Sequence, residues 1–294
     1  MPNVISAGLL TGLFTGFKTL FQGGFAGVTP LYTRVATVVP SSTKTEDYGW
    51  LGKWPKIREW IGDRHVNELA ASKYSITNRS FETTVEVDRD DIEDDRLGIY
   101  APMFQELGHA VAVFPDELVF GLLAAGFTTK CYDGQYFFDT DHPVGEGVKS
   151  NMQAGASTPW FLLDTTRSLK PLIFQNRRAF GFDALDKSTD SNVFLRKKYI
   201  YGSDGRCDAG FGFWQMAFGS KADLTPENYE LARAAMMSLT DDFGRPLGLK
   251  PNLLVVPASL EGKANRILKN QTKANGETNE WAGTAEPLVC QYLV

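Results

Sequence analysis

Gly98 to Gly126 reads GIYAPMFQELGHAVAVFPDELVFGLLAAG, and its apolar residues recur at helical spacing. Phe104, Leu107, Val111, Phe114, Leu118, Leu122 and Ala125 follow at steps of three or four, which predicts one helix with an unbroken apolar stripe. At 1.5 Å per residue it would be about 42 Å long, more than a compact core needs, so the subunit is expected to be elongated or flat. Pro115 lies inside the stripe, where it removes a backbone donor and crowds the preceding turn, so a bend or break is expected near Val111 to Phe114.

The segments around this helix are weaker. Upstream, Leu9, Leu13, Phe17, Leu20 and Phe21 form a helical stripe with Lys18 as the one charge between them; it reads as an arm that docks on another surface. Met1-Pro2-Asn3 lacks the cationic start of an exported leader. A strand is expected at Val35 to Val39 and a polar loop at Ser41 to Asp47. Tyr74 to Thr77 and Ser80 to Val87 read as two strands joined at Asn78-Arg79, an excursion too small to be stable alone in water. Downstream, residues 160 to 220 read as strands at 161–163, 172–174, 193–201 and 210–218. Thr225 with Pro226 opens a helix whose buried face is Tyr229, Ala232, Met236 and Leu239, and Ser259 caps another carrying Leu260, Ala264, Ile267 and Leu268.

With 294 residues and 43% hydrophobic content the chain can bury a full core. A net charge of −5 excludes a surface that grips nucleic acid through many phosphates. Three widely spaced cysteines, Cys131, Cys207 and Cys290, suit neither a disulfide framework nor a metal set. No run of eighteen uninterrupted apolar residues is present, so no membrane partner is expected.

Candidate chemistry is sparse. Asp88-Arg89-Asp90-Asp91-Ile92-Glu93-Asp94-Asp95 offers carboxylates to a hard cation but lacks the spacing of a calcium loop; a charged turn in which Asp94 or Asp95 caps the long helix fits better. Phe138-Asp139-Thr140-Asp141-His142-Pro143 holds too few ligand types to name a metal and reads as a turn. Gly145 to Ser150 misses the glycine that a phosphate loop places before Lys-Ser, and Gly202-Ser203-Asp204-Gly205 lacks the spacing of a nucleophile elbow. His65 and His109 stand alone. No catalytic residue, cofactor or metal is assigned, although a carboxylate site assembled from distant residues stays open.

Several stretches carry a resemblance. Tyr48-Gly49-Trp50-Leu51-Gly52-Lys53, RDDIEDDRLGIYAPMFQELG (Arg89 to Gly108), CYDGQYFFDTDHPV (Cys131 to Val144), KPLIFQNRR (Lys170 to Arg178), GFWQMAFGSKADLT (Gly212 to Thr225) and LGLKPNLLVVPASLE (Leu247 to Glu261) resemble, in order, the gpT family of major head subunits of Mu-like bacteriophages. The resemblance implies an α+β fold of the Hong Kong 97 type. Its parts would be an N-terminal arm (1–53), an extended hairpin loop (54–90), a peripheral domain with the spine helix (91–222) and an axial domain (223–294). It implies self-assembly into pentamers and hexamers of an icosahedral head shell around packaged DNA, which is a non-specific neighbour. A separate scaffolding protein, a portal and a decoration protein are the expected partners, with assembly in the host bacterial cytoplasm and residence in the virion head.

Some shells of this fold cross-link a loop lysine, for which Lys53, Lys56 and Lys73 are positioned in sequence. Another phage part, such as a tail tube or decoration protein, and a carboxylate-dependent hydrolase are the alternatives. Subunit-interface candidates are Leu9, Leu13 and Phe17 on the arm, Trp54, Arg58, Glu59, Trp60, Arg64 and Glu68 in the hairpin, and Asp91 and Asp94 in the acidic turn. Arg177, Arg178, Arg196, Lys197 and Lys198 are the basic groups expected to meet that turn across a subunit boundary.

Overall fold

The computed structural model describes residues 5–52, 74–94, 97–187, 189–273 and 275–293. The hairpin candidates Trp54, Arg58, Glu59, Trp60, Arg64 and Glu68 lie outside the described residues, as do Lys53, Lys56, Lys73, His65 and Asp95.

The arm folds into helix α1 (Ala7–Ala26), started by Ser6, whose hydroxyl accepts from the Leu9 amide. A short helix α2 (Tyr32–Val35) leads into strand β1 (Ala36–Pro40), and β2 (Thr45–Asp47) pairs with β3 (Ser75–Thr77). The expected hairpin of 74–77 with 80–87 does not form: β4 (Arg79–Asp88) turns away from β3 and pairs with a distant strand. A five-residue helix α3 (Arg89–Glu93) and a 3-10 turn (Leu97–Ile99) precede the spine, α4 (Ala101–Ala124), which is followed by a further 3-10 turn (Ala125–Phe127).

The spine is continuous through Pro115 rather than broken before it. Anchors on both sides of the proline offset its missing hydrogen bond. Phe114 packs its ring against Phe81 and Phe180, with centroids 4.6 and 5.8 Å away. The buried Asp116 carboxylate accepts the backbone amides of Leu31 and Tyr32 at 3.0 and 2.6 Å, capping α2. The stripe also shifts. Phe104, Leu107 and Val111 are buried as expected, but beyond Pro115 the deepest positions are Val119, Phe120 and Leu123, while Phe114, Leu118 and Leu122 are half-buried flanks.

Two sheets complete the core. β9 (Leu172–Leu185) and β10 (Lys198–Phe211) form a long antiparallel hairpin joined through helix α5 (Ser191–Arg196), so the strand expected from Val193 begins as a helix. With β1 parallel on one edge and β4 antiparallel on the other, they make a four-stranded sheet in the order β1-β9-β10-β4. Its inner face meets α1 and α4: Phe17 stacks on Phe104 at 4.1 Å, and both lie edge-on to Tyr201 at 5.1 and 5.5 Å. Full burial of each such ring contributes about 1.5–3 kcal/mol.

A small hairpin, β5 (His142–Val144) with β6 (Gly147–Lys149), precedes the five-stranded sheet. This sheet joins β7 (Met152–Gln153), β8 (Trp160–Leu163), β11 (Ala217–Ser220), β12 (Leu253–Val256) and β13 (Glu286–Val289) in the order β13-β12-β8-β11-β7. Helices α6 (Pro226–Met237) and α7 (Glu261–Leu268) cover one face through Tyr229, Ala232, Met236, Ala264 and Ile267, and the other face enters the central core. Thr225 caps α6 as expected, but Ser259 does not cap α7, which follows a 3-10 turn and has Leu260 at its cap.

An expected boundary between residues 222 and 223 therefore cuts through one sheet, since β8 pairs with both β11 and β12. The helix at Ala101–Phe127 is long and apolar enough to cross a membrane by length and composition; here its apolar side chains pack into the core between the sheets and α1.

Candidate assembly surface

The docking stripe of the arm is used largely within the subunit. Phe17 and Phe21 are buried, Leu9 and Leu13 are half-buried against the same cluster, and the contact surface is the chain's own spine. The reason lies in two glycines. Gly24 faces the Gln105 carbonyl and Gly108 faces the Phe21 carbonyl so closely that a Cβ on either would collide with backbone, and this absence of side chains lets α1 lie against α4. The exposed side of α1 carries Gly8, Gly12 and Gly16 beside Thr11, Thr15 and Thr19, whose hydroxyls each bond the carbonyl four residues earlier.

The acidic turn finds basic partners within the same chain. The register of β4 on β10 sets Lys198 opposite Asp88, and the ammonium donates to the carboxylate at 2.8 Å. That bond, with the Asp90 amide, holds the Asp88 carboxyl below its usual range. Asp88 caps α3, Asp90 lies 3.8 Å from Lys197, and Arg89 pairs with Glu93.

Asp91 accepts the Tyr100 hydroxyl at 2.5 Å, which ties the turn to the start of the spine. The spine itself has Tyr100 at its cap and no acidic residue in its first turn, so the expected cap from Asp94 is absent. Asp94 is exposed. Of the remaining basic candidates, Arg178 pairs with Asp204, Arg177 is half-buried and Arg196 is exposed.

One group of ligand-type side chains does converge. Cys131, Asp133 and His142 place a thiol, a carboxylate and an imidazole within 4.8 Å of one another, donor types that a transition metal accepts. In the structure they bond each other. Cys131 Sγ donates to Asp133 Oδ1 at 3.1 Å, and His142 Nδ1 lies 2.6 Å from Asp133 Oδ2. The ring of His142 is fully buried, stacks on Trp214 at 3.9 Å and meets Asn151 Oδ1 through Nε2 at 3.1 Å. Asn151 in turn donates to the carbonyls of Phe137, Trp214 and Ala217.

Burial works against the charge on Asp133, but bonds from His142 and Cys131 outweigh it and keep the carboxyl below its usual range. Burial pushes the Cys131 thiol up, with the Asp133 charge adding to the effect. This is a staple that fixes the 131–151 segment onto the core; of the expected turn at Phe138 to Pro143, His142 and Pro143 instead open strand β5. Sequence reasoning missed Cys131 and Asp133 because they precede His142 by eleven and nine residues.

Elsewhere the motif candidates dissolve. Ser203 is buried inside β10, and Gly145 to Ser150 forms the tip and second strand of the β5–β6 hairpin. Missed as well were Asp116, and the exposed pair Phe194 and Leu195, whose one sequence signal is an apolar doublet directly before Arg196-Lys197-Lys198.

Two sheets strapped by one spine helix, with an arm laid along that spine, are the architecture of a shell-building subunit of the Hong Kong 97 type. The chain belongs to the family of the Mu-like prophage major head subunit gpT, whose model matches residues 10–293. It is 43% identical to the major capsid protein of Escherichia phage Mu, covering 99% of this chain and 100% of that one. It is also 43% identical to the Mu-like prophage FluMu major head subunit of Haemophilus influenzae, covering 93% and 92%. Among solved structures, the procapsid of bacteriophage JBD30 superposes with a TM-score of 0.87 at 47% identity, covering 98% of this chain and all of the other. The JBD30 capsid gives 0.80 at 37% identity, covering 99% and 100%.

Proposed function

We propose that the chain is the major capsid protein of a Mu-like phage head, assembling through repeated contacts between copies into pentamers and hexamers around packaged DNA. The observation that carries this is the correspondence, over nearly every residue, with a subunit of the JBD30 procapsid. The acidic net charge supports DNA as an enclosed neighbour rather than a gripped ligand. Repetition makes individually modest contacts sufficient, because each subunit engages several neighbours at once.

A separate scaffolding protein and a portal complete the proposed set of partners. A minor capsid protein is the third, by analogy with the JBD30 capsid decorated with minor capsid protein trimers. Trp54, Arg58, Glu59, Trp60, Arg64 and Glu68, with exposed Asp94 and Arg196, are proposed to supply contacts between copies. Negative-stain microscopy of purified protein, with and without co-expressed scaffold, tests the reading: closed shells or ring-shaped capsomers are expected, and a chain that stays monomeric at high concentration in both cases would overturn it.

A further inference from the structure

The end of the β9–β10 hairpin carries an apolar knob beside a groove of matching character. Phe194 and Leu195, 82% and 74% exposed, project from α5. This helix is not loose. Val193 is buried beneath it, Asn192 Nδ2 donates to the carbonyls of Leu185 and Lys198 at 3.0 and 2.7 Å, and Lys197 ends it in a left-handed conformation with φ 56°. Two large apolar side chains are thus held toward solvent at a fixed position. Arg196 follows them directly and, among the described residues, has no ion-pair partner, whereas Lys197 and Lys198 face Asp90 and Asp88.

Next to the knob, β4, β10 and β9 enclose a shallow groove of about 280 Å³. Leu185 and Ile200 give it an apolar wall, and the carboxylates of Glu82 and Asp183 give it an anionic rim. Gly202 keeps its floor open: a Cβ there would lie 2.9 Å from the Thr83 carbonyl oxygen. Leu185 and Ile200, paired across the hairpin, line the groove, and the Leu185 carbonyl is the one bonded by Asn192 of α5, so knob and groove adjoin.

We propose that this end of the subunit is a self-complementary contact, in which Phe194, Leu195 and Arg196 of one copy seat in the Leu185–Ile200 groove of a second copy, and the reverse. A cationic apolar knob beside an anionic apolar groove is what a two-fold contact requires, because each partner offers both halves. The occupant is a second copy because charge and apolar character match within one chain, and the inference rests on the shell-building function proposed above.

Two measurements on the full chain test it. In the first, subunits carrying Leu195→Cys are mixed with subunits carrying Leu185→Cys under mild oxidation; the native cysteines are buried. A disulfide-linked dimer that needs both variants is expected in shells and in concentrated subunit alike. In the second, Arg196→Glu or Asp183→Lys alone should raise the concentration needed for assembly about tenfold through like-charge opposition, and the two together should restore it, with unchanged subunit melting. Absence of the cross-link, with single and double reversals assembling like wild type, overturns the contact while leaving the shell function standing. Cross-linking seen only after a minor capsid protein is added also overturns it. Wild-type protein that forms no shell overturns the shell function, and the solution cross-link then decides the contact by itself.

Discussion

Gly108 of the spine and Phe21 of the arm meet backbone to backbone, with the Gly108 Cα set where any Cβ would strike the Phe21 carbonyl oxygen. Gly24 repeats the arrangement against Gln105, so α1 and α4 cross at a distance that excludes side chains at both points. Gly108→Ala or Gly24→Ala is therefore expected to prise the helices apart and cost about 1–3 kcal/mol, the usual range for overpacking a tight site. Denaturant unfolding measures the loss, and limited proteolysis should show residues 5–26 cut first. Unchanged stability in both variants would mean the crossing is looser than described.

Asp116 joins the spine to the strand that the arm leads into. Removing its carboxylate by Asp116→Ala leaves the half-buried amides of Leu31 and Tyr32 without this acceptor, at a cost of about 1–3 kcal/mol. Asp116→Asn, which keeps one acceptor oxygen, should lie between wild type and alanine in thermal melts. Equal melting of alanine variant and wild type would sink the cap.

Glu46 gives a pH signature. Its carboxylate accepts the Thr43 amide, the Ser41 hydroxyl and the Ser42 amide, and these bonds hold the carboxyl at about 2 in place of the ordinary 4.5. A lowered pKa in the folded state stabilises above the unfolded value, so this contribution is complete above about pH 4.5 and fades as pH falls toward 2. Stability of wild type relative to Glu46→Gln should accordingly converge on acidification through that window; a difference that stays constant from pH 7 to 3 would contradict it.

The acidic turn separates folding from assembly. Asp91→Lys removes the acceptor of the Tyr100 hydroxyl and should lower subunit stability, whereas Asp94→Lys changes an exposed charge and should shift stability by less than about 0.5 kcal/mol. Shell yield of the Asp94 variant is expected to fall, and to recover as added salt screens the reversed charge. Shells dissolved by chelator and restored by calcium would instead make the turn a cation site.

Much of the architecture was legible in the chain itself. The spine follows from apolar spacing over Phe104 to Ala125, the α6 start from Thr225-Pro226, and β4 from the alternation of Phe81, Thr83, Val85 and Val87 against Glu82, Thr84 and Glu86. Local pattern suffices there because one face of each element is buried and periodicity records which. The arm's helix was legible for the same reason, but not its partner.

What only the tertiary structure decided is register and juxtaposition. Lys198 meets Asp88 because β10 pairs with β4 at one particular offset, 110 residues apart in sequence, and no local signal encodes that offset. Asp133 and Cys131 join His142 because a turn folds back on itself, and the groove beside α5 exists only when three strands lie side by side. The sequence by itself determined the strongly periodic elements, the spine, α6 and β4, because their pattern is a property of neighbours along the chain, but not α5, which reads as strand from Val193, nor the shift of the spine's buried face beyond Pro115. The pairing of charges, the crossing of α1 on α4 through Gly24 and Gly108, and the division of one sheet between both halves of the chain came from long-range packing, where side-chain volume and strand register select a single arrangement from many with the same local pattern.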